Sequence, residues 1–108
     1  MVLSTGANIN NEAIIENLKK LTNQIYKLLP NREENIDWQT PLNTIVEEIS
    51  GMDKLLSEYH EILFPLLCKL EGLYSLTKEQ DFFAYRRTIF ECLNLLSSLK
   101  ECVLTCQD

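Results

Sequence analysis

The sequence predicts an all-α fold: an antiparallel three-helix bundle built on a long hairpin of its second and third helices. Three observations carry that prediction. Over three long stretches, apolar residues recur at alternating steps of three and four, the period that lines one face of a helix. Glycine and proline number only three each in 108 residues, few for a protein of short strands and tight turns. Residues that start and stop helices bracket each apolar stretch. The length suits one domain, 1–108, with 1–10 expected as a flexible tail.

The first helix is predicted over 12–29. Asn11 is a good N-cap and Glu12 places negative charge in the first turn, where the helix dipole favours it. Ile14, Leu18, Leu21, Ile25 and Leu28 form its stripe, and Pro30 is expected to stop it. The polar connector "NREENIDWQT" follows, in which Asn31 could cap a short turn with Glu34 as its partner.

The second helix is predicted over 41–74. Thr40 is the expected cap, with Pro41 in the first helical position, where its missing N–H costs nothing. Its stripe is Leu42, Ile45, Ile49, Met52, Leu56, Tyr59, Leu63, Leu66, Leu70 and Leu73. The alternation never breaks, crossing both Gly51 and Pro65, so the sequence favours one continuous helix. An interior proline costs about 3 kcal/mol, but Pro65 and the Glu61 carbonyl it deprives of a partner both fall on the outer face. A bend is favoured there over a break; the alternative, a break at Pro65, would let the segment fold back into a compact four-helix monomer.

The third helix is predicted over 78–106, opened by a capping box in "TKEQ" from Thr77 to Gln80. Phe82, Tyr85, Ile89, Cys92, Leu96, Leu99, Val103 and Cys106 make its stripe. Phe83, Phe90, Leu93, Leu95 and Leu104 lie outside it, which suits a helix in the middle of an assembly.

At 1.5 Å per residue the three helices would be about 27, 50 and 43 Å long. The first would then cover only the near half of the hairpin. Ile62, Leu63, Phe64, Leu66, Leu67, Phe82, Phe83, Ile89 and Phe90 would be left bare, a patch that calls for self-association, most simply a two-fold dimer, or for another protein.

Sixteen acidic against ten basic residues give a net charge of −6. That balance disfavours nucleic acid and anionic membrane as main partners, since both would have to be met by positive charge. The longest apolar run is too short to span a bilayer, and "MVLSTGANIN" lacks the charged and apolar regions of a signal peptide. A soluble, cytoplasmic protein is expected. Cys68, Cys92, Cys102 and Cys106 then read as free thiols packed as small hydrophobes. No metal or other cofactor is expected. The single histidine, His60, has no Glu-x-x-His spacing, and Cys102 and Cys106 have no second pair. The three glycines stand apart and form no phosphate loop.

Two polar clusters remain as candidate binding residues. In the connector, Arg32, Glu33 and Trp38 have the chemistry of binding anchors; the plainer reading, which the sequence favours, has Trp38 plug the end of the bundle. In "YRR", Tyr85, Arg86 and Arg87 could clamp an anion between subunits, since guanidinium groups hold phosphate in two-pronged fashion. No nucleophile or acid–base pair can be assigned, so the chain is not expected to be an enzyme.

The stretch "IYKLLPNREENIDWQTPLNTIVEEISGMDKLL", about a third of the chain, resembles small helical proteins encoded by phages and prophages of low-GC Gram-positive bacteria. The resemblance implies no site residues. It does imply that inhibition of a host defence, in some cases by sequestering a nucleotide signal, is within the range of such proteins. The functional expectation is a non-enzymatic, self-associating protein-interaction module. The alternative is an oligomer that sequesters an anionic nucleotide.

Overall fold

The computed structural model describes residues 11–105. The expected tail and Cys106 lie outside that range. Within it the chain forms four helices, α1 (Asn11–Glu33), α2 (Gln39–Leu55), α3 (His60–Gly72) and α4 (Phe82–Thr105), with single 3-10 turns at Ser57–Tyr59, Leu73–Ser75 and Glu79–Asp81.

The three-helix expectation is therefore corrected at one place. The predicted second helix is two helices, and the chain leaves α2 nine residues before Pro65. Leu56 departs from helical geometry at φ −115° and ψ 64°. Its N–H still bonds the Met52 carbonyl at 2.7 Å, and its own carbonyl accepts from Tyr59. Asp53, on the last turn of α2, meets His60 Nδ1 at 2.7 Å and ties the two arms of the corner together. At the far end the Tyr74 hydroxyl donates to Asn43, joining the end of α3 to the start of α2. The two helices form a hairpin.

The apolar phase survives this reversal because the corner itself carries two core residues. Leu56 and Tyr59 are both buried, and their three-residue spacing continues the stripe whether or not the backbone between them is helical. Conservation of phase was thus no evidence of continuity. Pro65 lies inside α3 with the helix intact around it, and Glu61, whose carbonyl has lost its donor, is on the exposed face.

Three other ends differ from expectation. Pro30 does not stop α1, which runs one further turn to Glu33. The helix ends where Asn35 takes a left-handed conformation, φ 58°. The Ile36 N–H then reaches back to the Asn31 carbonyl at 2.8 Å and the Asn35 N–H to the Arg32 carbonyl at 3.3 Å. This is the Schellman pattern, with asparagine in the place glycine usually takes, so Asn31 accepts at a helix end and caps no turn of its own. At the start of α2 the cap is Asp37, not Thr40: its Oδ1 accepts from the Gln39 and Thr40 N–H groups at 3.0 and 3.2 Å. A hydrogen bond from the Thr40 side chain, aided by those from the Thr40 and Gln39 N–H groups, holds the Asp37 carboxyl below its ordinary value. Before α4, Asp81 accepts from the Lys78 N–H at 3.2 Å, so the cap lies one residue beyond the expected box.

α1 packs on α2 and α4, and α3 packs on the same two. One core runs through the middle. Every stripe residue predicted within the described range is buried except Phe82, which is half-buried.

Candidate functional site

The doubling back of α2 and α3 redistributes the predicted interface. Leu63, Leu66 and Ile89 are wholly buried in the chain's own core and cannot meet a partner. Ile62, Leu67 and Phe82 are half-buried. Of the predicted patch only Phe64, Phe83 and Phe90 remain exposed. They do not form one cluster: Phe64 is on α3 beside the His60 ring, while Phe83 and Phe90 are on α4. The bare half of the hairpin does not exist, because α2 and α3 fold back on each other and close the core together with α1 and α4.

The first polar cluster comes together around Arg32, which the last turn of α1 aims at the connector ahead of α4. Arg32 donates from Nε and Nη2 to the Leu76 carbonyl at 3.2 and 2.8 Å, and from Nη2 to the Lys78 carbonyl at 2.7 Å. Its guanidinium carbon lies 4.7 Å from the Tyr85 ring centre and 5.4 Å from that of Phe82. Trp38 meets Tyr85 edge-on, 5.1 Å between centres at 76°. Trp38 is the plug at the bundle end, and Arg32 fastens α1 to the α3–α4 connector.

A cleft of about 600 Å³ opens beside this group, lined by Arg32, Glu33, Asn35, Trp38, Thr77, Glu79, Phe82 and Phe83. Its two carboxylates oppose an anionic ligand, and most of the Arg32 donors are already engaged on carbonyls. Tyr85 faces inward, fully buried, and its hydroxyl has no hydrogen-bond partner. Burial pushes that hydroxyl's pKa up, only partly offset by the Arg32 charge. Arg86 and Arg87 point outward, away from Tyr85, and Arg86 lies 5.2 Å over the Phe90 ring. The expected YRR clamp is therefore divided between core and surface.

What sequence reasoning missed is the groove between α1 and α4. Leu18, Lys19, Thr22 and Asn23 line it from α1, and Leu93, Leu96, Ser97 and Lys100 from α4, enclosing about 350 Å³. Tyr26 follows Thr22 by four residues and Asn23 by three, so it sits on the same face one turn on. Phe90 precedes Leu93 by three and Ser97 by seven, and Phe83 lies two turns further toward the bundle-end cleft. Tyr26, Phe83 and Phe90 are 51%, 79% and 39% exposed. The available signal was Tyr26, an aromatic ring immediately after core Ile25 on an otherwise polar face.

The charges are also segregated. Residues 39–75 hold Glu47, Glu48, Asp53, Glu58, Glu61 and Glu71 against Lys54 and Lys69 only, whereas the α1–α4 groove is lined by two lysines and no carboxylate.

Cys68, Cys92 and Cys102 are free thiols. Cys92 is sealed in the core, and burial pushes its thiol up to about 12. Among the described residues no group of three or more His, Cys, Asp and Glu side chains could hold a metal ion. Nor is any helix there long and apolar enough to cross a membrane. Comparison with protein-family models, curated proteins and solved structures finds no match.

Proposed function

We propose that this chain is a non-enzymatic protein-interaction module that docks through the face formed by α1 and α4. One observation carries the reading: three large aromatic rings, Tyr26, Phe83 and Phe90, stand exposed along one face of a bundle whose interior is already filled by aliphatic side chains. Burying a ring against a partner is worth about 1.5–3 kcal/mol, and rings of this kind dominate the binding energy of protein interfaces. The acidic α2–α3 side supplies solubility and the aromatic side supplies contact. The resemblance of residues 25–56 to phage-encoded helical proteins makes a host protein the natural partner. The anionic-nucleotide alternative has no comparable support, since the cleft beside Arg32 carries Glu33 and Glu79.

Photo-crosslinking in the native cell tests the proposal. A benzophenone side chain at position 83 or 26 is expected to trap a discrete protein adduct, while the same group at position 47, on the acidic side, traps none. An adduct of twice the chain's mass would identify a second copy as the occupant. No adduct at 83 or 26, or the same adducts from 47, would overturn the assignment of the face.

A further inference from the structure

We propose that the α1–α4 groove accepts a single amphipathic helix from a partner, with apolar residues along one face and carboxylates beside them. The inference rests on the docking reading above and adds the chemistry of the occupant.

The shape argument comes from the two walls. α1 and α4 are the longest helices among the described residues, 23 and 24 residues. Arg32 beside Phe82 at one end and Leu18 opposite Leu96 further along place them side by side in opposite directions. Between such walls lies a straight trough, which takes a third helix laid along it. The groove itself is lined on α4 from Leu93 to Lys100; with Phe90 and Phe83 beyond it on the same face of α4, the stretch from Phe83 to Lys100 measures about 26 Å, the length of some 17 helical residues. Phe83 and Phe90 are seven residues apart, so their rings are spaced by about 10 Å, the rise between positions i and i+7 of a facing helix.

The charge argument is independent of the shape. In a chain of net charge −6, the groove proper is lined by Lys19 and Lys100 without a carboxylate, and Arg86 covers the Phe90 ring; at the Phe83 end Glu33 and Glu79 flank the face, so the occupant's carboxylates belong beside Lys19 and Lys100. Lys19 has one acidic neighbour, Glu16 at 3.9 Å, and both side chains are largely solvated. Lys69, on α3, is by contrast already paired with Glu91 at 3.1 Å. Lys100, and Lys19 in its long and solvated pair with Glu16, can meet carboxylates flanking an apolar stripe, and a basic helix would be repelled from the same place. Thr22, Asn23 and Ser97 in its floor supply hydrogen bonds to polar groups at the margin of the bound helix.

The experiment is selection from a displayed library of random amphipathic helices against the immobilised full-length chain. Enriched sequences should carry Asp and Glu beside the apolar stripe. They should bind Phe83→Ala/Phe90→Ala at least about tenfold more weakly, bind Lys19→Glu/Lys100→Glu about tenfold more weakly, and weaken as salt is raised. Circular dichroism of each variant verifies folding, and Phe83→Ala alone replaces the double variant should the latter unfold. Enrichment of basic or uncharged helices, or undiminished binding to Lys19→Glu/Lys100→Glu, would overturn the acidic class while leaving the docking face standing. Absence of enrichment, or binding that survives loss of the phenylalanine rings, would overturn both.

Discussion

Replacing Arg32 with alanine separates a fastening role from a binding one. The substitution removes the donors that hold the Leu76 and Lys78 carbonyls and the cation resting on Tyr85 and Phe82. At about 1 kcal/mol for each carbonyl left without its donor and about 1 kcal/mol for the two partly solvated ring contacts together, the loss is about 3 kcal/mol. For a domain of this size that corresponds to roughly 15 °C in melting temperature. Urea unfolding followed by Trp38 fluorescence is the suitable assay, since the indole touches Tyr85. Arg32→Lys keeps the charge but brings one compact ammonium where a planar fork had spanned two carbonyls, so about half the loss should remain. An Arg32→Ala variant within about 0.5 kcal/mol of the parent would refute the fastening role.

Four further outcomes follow from the same geometry. Tyr85→Phe removes a buried hydroxyl that has no partner; the variant should be as stable as the parent or up to about 1 kcal/mol more so, read by the same urea titration. Gly51 lies within α2, and a Cβ added there meets nothing within 4 Å, so Gly51→Ala should stabilise by about 0.5–1 kcal/mol in thermal melts. Burial holds the Cys92 thiol protonated up to about 12 against an ordinary value of 9.0. Its contribution is complete below pH 9.0 and is lost as pH rises toward 12, because the unfolded thiol ionises first. Stability should decline over that window, and less so in Cys92→Ala measured against its own neutral-pH value. The depressed Asp37 carboxyl works in the opposite sense, with its stabilisation lost as pH falls below 3.8; an acid titration of Asp37→Asn should lack that component.

Legibility in the sequence differed by feature. The stripes identified the buried core apart from Leu93, which lay outside them, and Phe82, which is only half-buried, because burial of one helix face repeats at the helical period. Arg32 and Trp38 stood out in the sequence as candidate anchors, with a plug at the bundle end as the plainer reading of Trp38, and the structure engages both side chains within the chain itself. A connector crowded with charge and an indole looks the same whether its groups grip a partner or hold the chain's own backbone. Only the positions of the Leu76 and Lys78 carbonyls decide between these. The α1–α4 groove was invisible because its rims come from opposite ends of the sequence, Tyr26 and Phe90 being 64 residues apart.

By itself, then, the sequence determined that the protein is helical, which side chains face inward, and that its charge is predominantly negative. Helical periodicity and composition are local properties, readable without knowing what lies alongside. Tertiary structure alone decided that the chain turns at Leu56, since a stripe with three-residue spacing passes through a helix or a corner equally well. A rod of that length would leave much of its apolar face in water, and folding it into α2 and α3 buries the same residues against each other. That reversal buried Leu63 and Leu66 of the predicted interface in the chain's own core and left Tyr26, Phe83 and Phe90 exposed on α1 and α4.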